Sequence, residues 1–234
     1  MKLKIFFFLF ITSIGIQCVS QDDQTNFAPD PPAPLETYTY LALGDSYTIG
    51  HAVPENERFP VQLSDSLIAA GFNVTETRII AKTGWTTDEL QTGIDNATDL
   101  RNDYDLVSLL IGVNNQYRGR SVDAYKPEFT ELLQQAIGFA GGNKERVFVV
   151  SIPDYAYTPF GNGNPSISEG IDMYNVANKA IAEEMGIRYF DITPISRNGL
   201  SEKELVANDN LHPSGEQYRR WVNLMLPGVK EILE

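Results

Sequence analysis

Four short stretches of this chain place reactive side chains next to glycine or within one turn of each other. They are Gly44-Asp45-Ser46, Thr83-Gly84-Trp85, Gly112-Val113-Asn114-Asn115 and Asp209-Asn210-Leu211-His212. Acyl transfer needs a nucleophile, a base for its proton, a group that orients the base, and donors for the oxyanion. Ser46 offers the nucleophile and His212 the base. Asp209 lies three residues before His212, close enough to hold the imidazole from the same turn. The backbone N–H groups of Ser46 and Gly84 and the side-chain amide of Asn114 can serve as oxyanion donors. Each stretch alone also reads as an ordinary turn, since Gly, Asp, Asn and Ser are turn residues. His51, five residues past Ser46, is the rival base, but no acid stands beside it at the spacing of Asp209.

These residues cooperate only if the elements between them bring them to one place. Tyr38 to Leu43 alternates as a buried strand and breaks at Gly44. Val61, Leu63, Leu67, Ile68 and Ala70 recur at helical spacing after Phe59-Pro60, with Gly71 as the stop. Val74 to Ala81 predicts a second strand. Thr86 to Glu89 offers a cap and an acidic first turn for a helix through about Asn102. Tyr104 to Gly112 and Arg146 to Ile152 are continuous apolar runs, the pattern of strands covered on both faces. A helix is predicted over Ser121 to Ala140. Residues 153–168 read as a long Gly- and Pro-rich loop, followed by a helix from Glu169 to Met185 and a short strand over Arg188 to Ile192. A last helix spans Ser214 to Leu233, with Tyr218, Trp221, Val222, Met225 and Leu226 inward and a kink or break at Pro227-Gly228. Strands alternate with helices five times, which predicts a single three-layer α/β/α domain on a five-stranded parallel sheet of order 2-1-3-4-5. Ser46, Gly84, Asn114 and the Asp209–His212 turn then share the carboxyl edge of that sheet.

Composition narrows the partners. The 234 residues suit one core, and the net charge of -13 disfavours nucleic acid or an anionic surface. The chain has no Gly-x-x-x-x-Gly-Lys-Ser/Thr loop, no dinucleotide fingerprint and no Gly-x-Ser-x-Gly elbow. Two histidines and one cysteine do not supply a usual zinc set, so the reading calls on neither metal nor organic cofactor. Residues 1–18 read as a secretory signal, with a basic start and an apolar run too short to span a bilayer comfortably. Cys18 either falls in a removed peptide or becomes the lipid-bearing first residue of an anchored lipoprotein. Residues 19–36 form a polar, Pro-rich tether and 37–234 the domain. The expected location is outside the cytoplasm, periplasmic or at the cell surface.

Gly44-Asp45-Ser46, Gly84, Gly112-x-Asn114 and Asp209-x-x-His212 together resemble the four blocks of the SGNH, or GDSL-type, hydrolase family, over about residues 38 to 226. The resemblance implies a serine esterase with Ser46 as nucleophile, Asp209 and His212 completing the triad, and Gly84 and Asn114 completing the oxyanion hole. It implies ester substrates, lysophospholipid-like molecules among them, with a carbohydrate O-acetylesterase as the alternative. Separately, residues 153–168 hold no long apolar stretch that could line a deep acyl tunnel, which predicts short-chain acyl esters. A tethered binding module that has lost activity is the alternative of another class. Asn115 departs from the pattern, since many members have Asp there. Trp85, Tyr117 and Arg118 are candidate pocket walls and read equally well as packing or surface residues.

Overall fold

A computed structural model describes residues 36–234 of the chain. The signal, Cys18 and nearly all of the tether lie outside these residues. The domain is a five-stranded parallel sheet in the order β2-β1-β3-β4-β5. Strand β1 is Thr37–Gly44, β2 Asn73–Ala81, β3 Leu106–Leu110, β4 Val147–Val150 and β5 Arg188–Phe190. Every residue of β3 and β4 is buried, as their unbroken apolar runs require. Edge strand β2 is mostly half-exposed and carries Thr75, Glu76, Thr77 and Arg78 in its middle.

Between and after the strands run α1 (Ser46–Ile49), α2 (Phe59–Ala69), α3 (Thr87–Asp95), α4 (Val113–Tyr117), α5 (Val122–Phe139), α6 (Pro165–Met185), α7 (Thr193–Ser196) and α8 (Gly215–Leu233). Helices α2 and α8 pack together on one face of the sheet, and α3, α5 and α6 pack in succession on the other. This is the arrangement that right-handed crossovers impose on the strand order. Phe59, Leu63 and Leu67 bury the inner stripe of α2, and Tyr218, Trp221, Val222 and Met225 that of α8. Each such side chain contributes about 1.5–3 kcal/mol of burial.

Four expectations change in detail. Ile68 is 51% exposed and Ala70 is also outside, because both sit beyond the stripe that Leu63 and Leu67 define. Helix α3 stops at Asp95 and not near Asn102; the Asn96 side chain turns back onto the Thr92 carbonyl and caps it. Helix α6 starts at Pro165, four residues before Glu169, with Asn164 as its N-cap accepting from Ser166 N. Helix α8 continues through Pro227. Pro227 and Asn223, the residue whose carbonyl it leaves without a helical donor, are both exposed, so water can satisfy that carbonyl.

Candidate active site

The register of the sheet explains where the site lies. Gly44 pairs with Ala81 on one side and Leu110 on the other. The segments after these three residues therefore leave the sheet at one level. Gly44 is required there: a Cβ would stand 2.1 Å from Thr48 Oγ1 and 2.4 Å from the Leu110 carbonyl. The chain can thus turn directly from β1 into α1, whose first residue is Ser46. Asp45 caps this turn by accepting from Tyr47 N at 3.0 Å. Ser46 is 4% exposed, at the floor of a cleft of about 250 Å³.

His212 lines the same cleft. Asp209 holds it twice, accepting from His212 N at 2.9 Å through Oδ1 and meeting His212 Nδ1 at 2.5 Å through Oδ2. Leu211 N also donates to Asp209 Oδ1 at 3.0 Å. Asn210 takes a left-handed φ of 65°, which lets the four-residue turn from Asp209 to His212 close. The loop is tied down by Ala207 N donating to the His212 carbonyl at 2.8 Å. Burial pushes the His212 imidazole below its ordinary range; the Asp209 carboxylate pulls it upward and nearby His51 downward. Burial acts to raise the Asp209 carboxyl, but the bonds from the His212 backbone, the His212 ring and the Leu211 backbone outweigh it and leave the group below the usual carboxylate range.

Gly84 and Asn114 reach the cleft from the ends of β2 and β3. Gly84 has φ 87°, a conformation that side chains resist. Its carbonyl accepts from Arg118 Nη2 at 2.7 Å, and Arg118 in turn meets Glu89 at 3.1 Å. Asn114 Nδ2 donates one hydrogen to the Trp85 carbonyl at 2.9 Å; an amide nitrogen carries two, so the other remains for a ligand. Asn115, the departure from the family pattern, is fully buried under this loop. It accepts from Thr87 N at 3.1 Å and donates to Thr87 Oγ1 at 2.7 Å. Thr87 Oγ1 is then free to donate to Glu128. An aspartate could not make the second of these bonds without taking the Thr87 proton from Glu128.

The pocket walls differ from the sequence expectation. Tyr117 lines the cleft. Trp85 contributes its backbone: its ring lies over Gly93 of α3, where a Cβ would meet it at 2.2 Å. Arg118 supports the Gly84 peptide from behind. The remaining wall is aromatic and comes from the 153–168 segment, whose Tyr155 and Phe160 the sequence did not single out. Tyr117, Tyr155 and Phe160 form a triangle with ring centres 6.2–6.4 Å apart. Tyr117 is 61% and Phe160 53% exposed, so two large aromatic faces stand in solvent beside Ser46. Aromatic residues in a Gly- and Pro-rich loop at the active edge were the available signal. His51, distant from any acid in sequence, lies with its Nε2 3.9 Å from Asp209 Oδ2.

A model of the GDSL-like lipase/acylhydrolase family matches residues 42–220. No curated protein matches the sequence significantly. Among solved structures, the fold is similar to a lipase/acylhydrolase from Enterococcus faecalis, at 21% identity and a TM-score of 0.64 over 84% of this chain and 97% of that one. It is similar to a psychrotrophic esterase from Pseudoalteromonas sp., at 18% identity and a TM-score of 0.64 over 83% and 98%. An acetylxylan esterase from Geobacillus stearothermophilus matches at 18% identity and a TM-score of 0.63 over 82% and 94%. These likenesses share the fold, and the family match spans most of the domain from β1 into α8. The chain belongs to the GDSL-like lipase/acylhydrolase family of ester-hydrolysing enzymes.

Proposed function

We propose that the protein is a serine esterase that works through an acyl-enzyme on Ser46. The observation that carries this is the pairing of His212 Nδ1 with Asp209 Oδ2 at 2.5 Å, on the wall of the cleft that also holds Ser46, Gly84 and Asn114. With Nδ1 engaged by the carboxylate, Nε2 is the nitrogen left to act as base. Ser46 Oγ attacks the ester carbonyl carbon while His212 Nε2 takes its proton. The negative charge on the former carbonyl oxygen is met by the N–H groups of Ser46 and Gly84 and by the second amide hydrogen of Asn114. Collapse breaks the C–O bond, and His212 returns the proton to the departing alcohol oxygen. Water then attacks the acyl-enzyme, again giving a proton to His212, and the acid leaves as Oγ recovers it.

The cleft favours a short acyl group. Its volume of about 250 Å³ is below the range of about 300–1,000 Å³ typical of drug-sized ligand sites. Hydrolysis of p-nitrophenyl esters from C2 to C16 tests both statements. The expected kcat/KM peaks at C2 to C6 and is abolished by Ser46→Ala. A maximum at C12 or beyond would overturn the size argument, and full activity of Ser46→Ala would overturn the nucleophile. The exposed rings of Tyr117 and Phe160 favour a second reading, an acetylated sugar stacked beside Ser46. Acetyl release from acetylated xylo-oligosaccharides, with kcat/KM at least tenfold above p-nitrophenyl acetate, would select it; similar or lower values would reject it.

A further inference from the structure

The outer side of the Asp209–His212 pair carries chemistry that ester hydrolysis does not use. His51 stands just after the left-handed Gly50 that ends α1. Its Nδ1 meets Thr83 Oγ1 at 3.0 Å, which turns Nε2 toward Asp209 Oδ2, 3.9 Å away. The two imidazole rings are 4.6 Å apart. One ring nitrogen of each histidine and one carboxylate oxygen of Asp209 all lie within 4.8 Å of one another, the one such His/Cys/Asp/Glu group among the described residues. The residue count that argued against a zinc set omitted the carboxylate, and sequence could not show that both histidines converge on it.

We propose that His51, Asp209 and His212 bind a zinc ion that reversibly inhibits the enzyme. Two imidazoles and a carboxylate suit zinc and disfavour magnesium and calcium, which take oxygen ligands. Tetrahedral zinc, with bonds of about 2.0–2.1 Å, places its ligand atoms about 3.3–3.5 Å apart. The present separations bracket that value, so the His212–Asp209 contact must open and the His51–Asp209 gap must close. His51 and Asp209 can adjust, since their side chains are 46% and 27% exposed. With Nδ1–H donating to the Thr83 hydroxyl, His51 has the outer hydrogen bond that orients metal-bound histidines, and Nε2 keeps the free lone pair. Three protein ligands leave a fourth position for water.

Inhibition does not depend on which His212 nitrogen binds. If zinc takes Nδ1, that nitrogen gives its proton to solvent and loses Asp209 as its orienting partner. If zinc takes Nε2, the lone pair that should accept the Ser46 proton is occupied. The inhibitory half of the proposal rests on the esterase reading; the binding half does not. ZnCl2 titration of the chelator-treated full chain by calorimetry, beside hydrolysis of p-nitrophenyl acetate, tests both halves. Wild type and Ser46→Ala should each bind one zinc, and His51→Gln should bind at least about tenfold more weakly. Thr83→Val should show intermediate weakening, and serves if His51→Gln does not fold. The wild-type rate should fall at least tenfold at saturating zinc, recover with EDTA, and ignore MgCl2 and CaCl2. The inhibition midpoint of His51→Gln, normalised to its own zinc-free rate, should shift by the factor seen in binding. No binding by wild type, equal binding by wild type and both variants, or a rate raised by zinc would overturn the proposal. Absence of any esterase activity would defeat the esterase reading and leave calorimetry to decide the site.

Discussion

At the scale of single residues, the roles proposed for the cleft predict an order of losses. Ser46→Ala and His212→Ala remove the bond-forming atom and the proton acceptor, and should each cost about 10⁴–10⁶ in kcat. Asn114→Ala deletes one oxyanion donor and should cost about 10²–10³ in kcat with KM nearly unchanged. Asp209→Asn should fall between these and add almost nothing in a His212→Ala background, because Asp209 acts through the ring it holds. Steady-state kinetics on the single and double variants checks the order. Because burial keeps His212 below the ordinary imidazole range, the neutral base persists into mild acid. In chelator-containing buffer, kcat/KM should decline with a midpoint below about 6.5, the free imidazole value. Asp45 supplies a separate pH effect. It is fully buried, one carboxylate oxygen has no partner, and burial pushes its pKa up to about 7. A carboxyl with a raised folded pKa binds more protons folded than unfolded. Its contribution to stability is therefore present below about pH 4, the unfolded value, and is lost as pH rises toward 7. Urea unfolding at pH 5 and pH 8 should show wild type losing about 1–3 kcal/mol relative to Asp45→Asn over that interval; a constant difference would refute the assignment.

At the scale of elements, the strand-to-helix turn at Gly44 and the Gly84 peptide are where small changes should reach the chemistry. A Cβ at Gly44 would be pressed against the Leu110 carbonyl, which is backbone and cannot swing aside. Gly44→Ala should destabilise by about 1–3 kcal/mol. By displacing the start of α1 it should also lower kcat by about 10². Urea midpoints and kcat measured together separate the two effects. Arg118 holds the Gly84 carbonyl from outside the cleft. Arg118→Ala should lower kcat with little change in KM, and by less than the about 10²–10³ expected for Asn114 itself. A rise in KM alone would mean that Arg118 meets substrate and does not position the peptide.

At the scale of the whole molecule, one cluster of buried side chains runs from Tyr40 in β1 to Val229 in α8 and includes residues of every strand. A single core implies a single cooperative unfolding step. The compact unit Leu35–Glu234 contains that core and the cleft. A chain beginning at Leu35 should therefore keep kcat/KM on p-nitrophenyl acetate within about twofold, a difference of under ~0.5 kcal/mol. Coincident fluorescence and circular-dichroism transitions, together with that rate, check it. A separate expectation belongs to the N-terminal residues: if Cys18 carries lipid, Cys18→Ser should move the full chain from the membrane fraction to the soluble one. Equal partitioning of the two would rule out anchoring through Cys18.

The strand order followed the common doubly wound solution for five parallel strands, and the sequence by itself determined the fold class and the placement of Ser46, Gly84, Asn114 and His212 on one edge. It could do so because these rest on local signals. Unbroken apolar runs mark covered strands, and glycines mark the turns that follow them. The Asp209–His212 contact was legible for the same reason, being made within one turn. Tertiary structure alone decided the rest. Tyr155 and Phe160 became cleft walls because the 153–168 segment folds over the sheet edge, and no periodicity reports that. Trp85 was drawn away by the bare backbone of Gly93, a contact between elements. Arg118 met the Gly84 carbonyl across 34 positions of sequence. His51 reached Asp209 only because α1 and the last loop end at the same edge. Side-chain direction over such separations is set by packing among elements, and a linear pattern carries only the elements themselves.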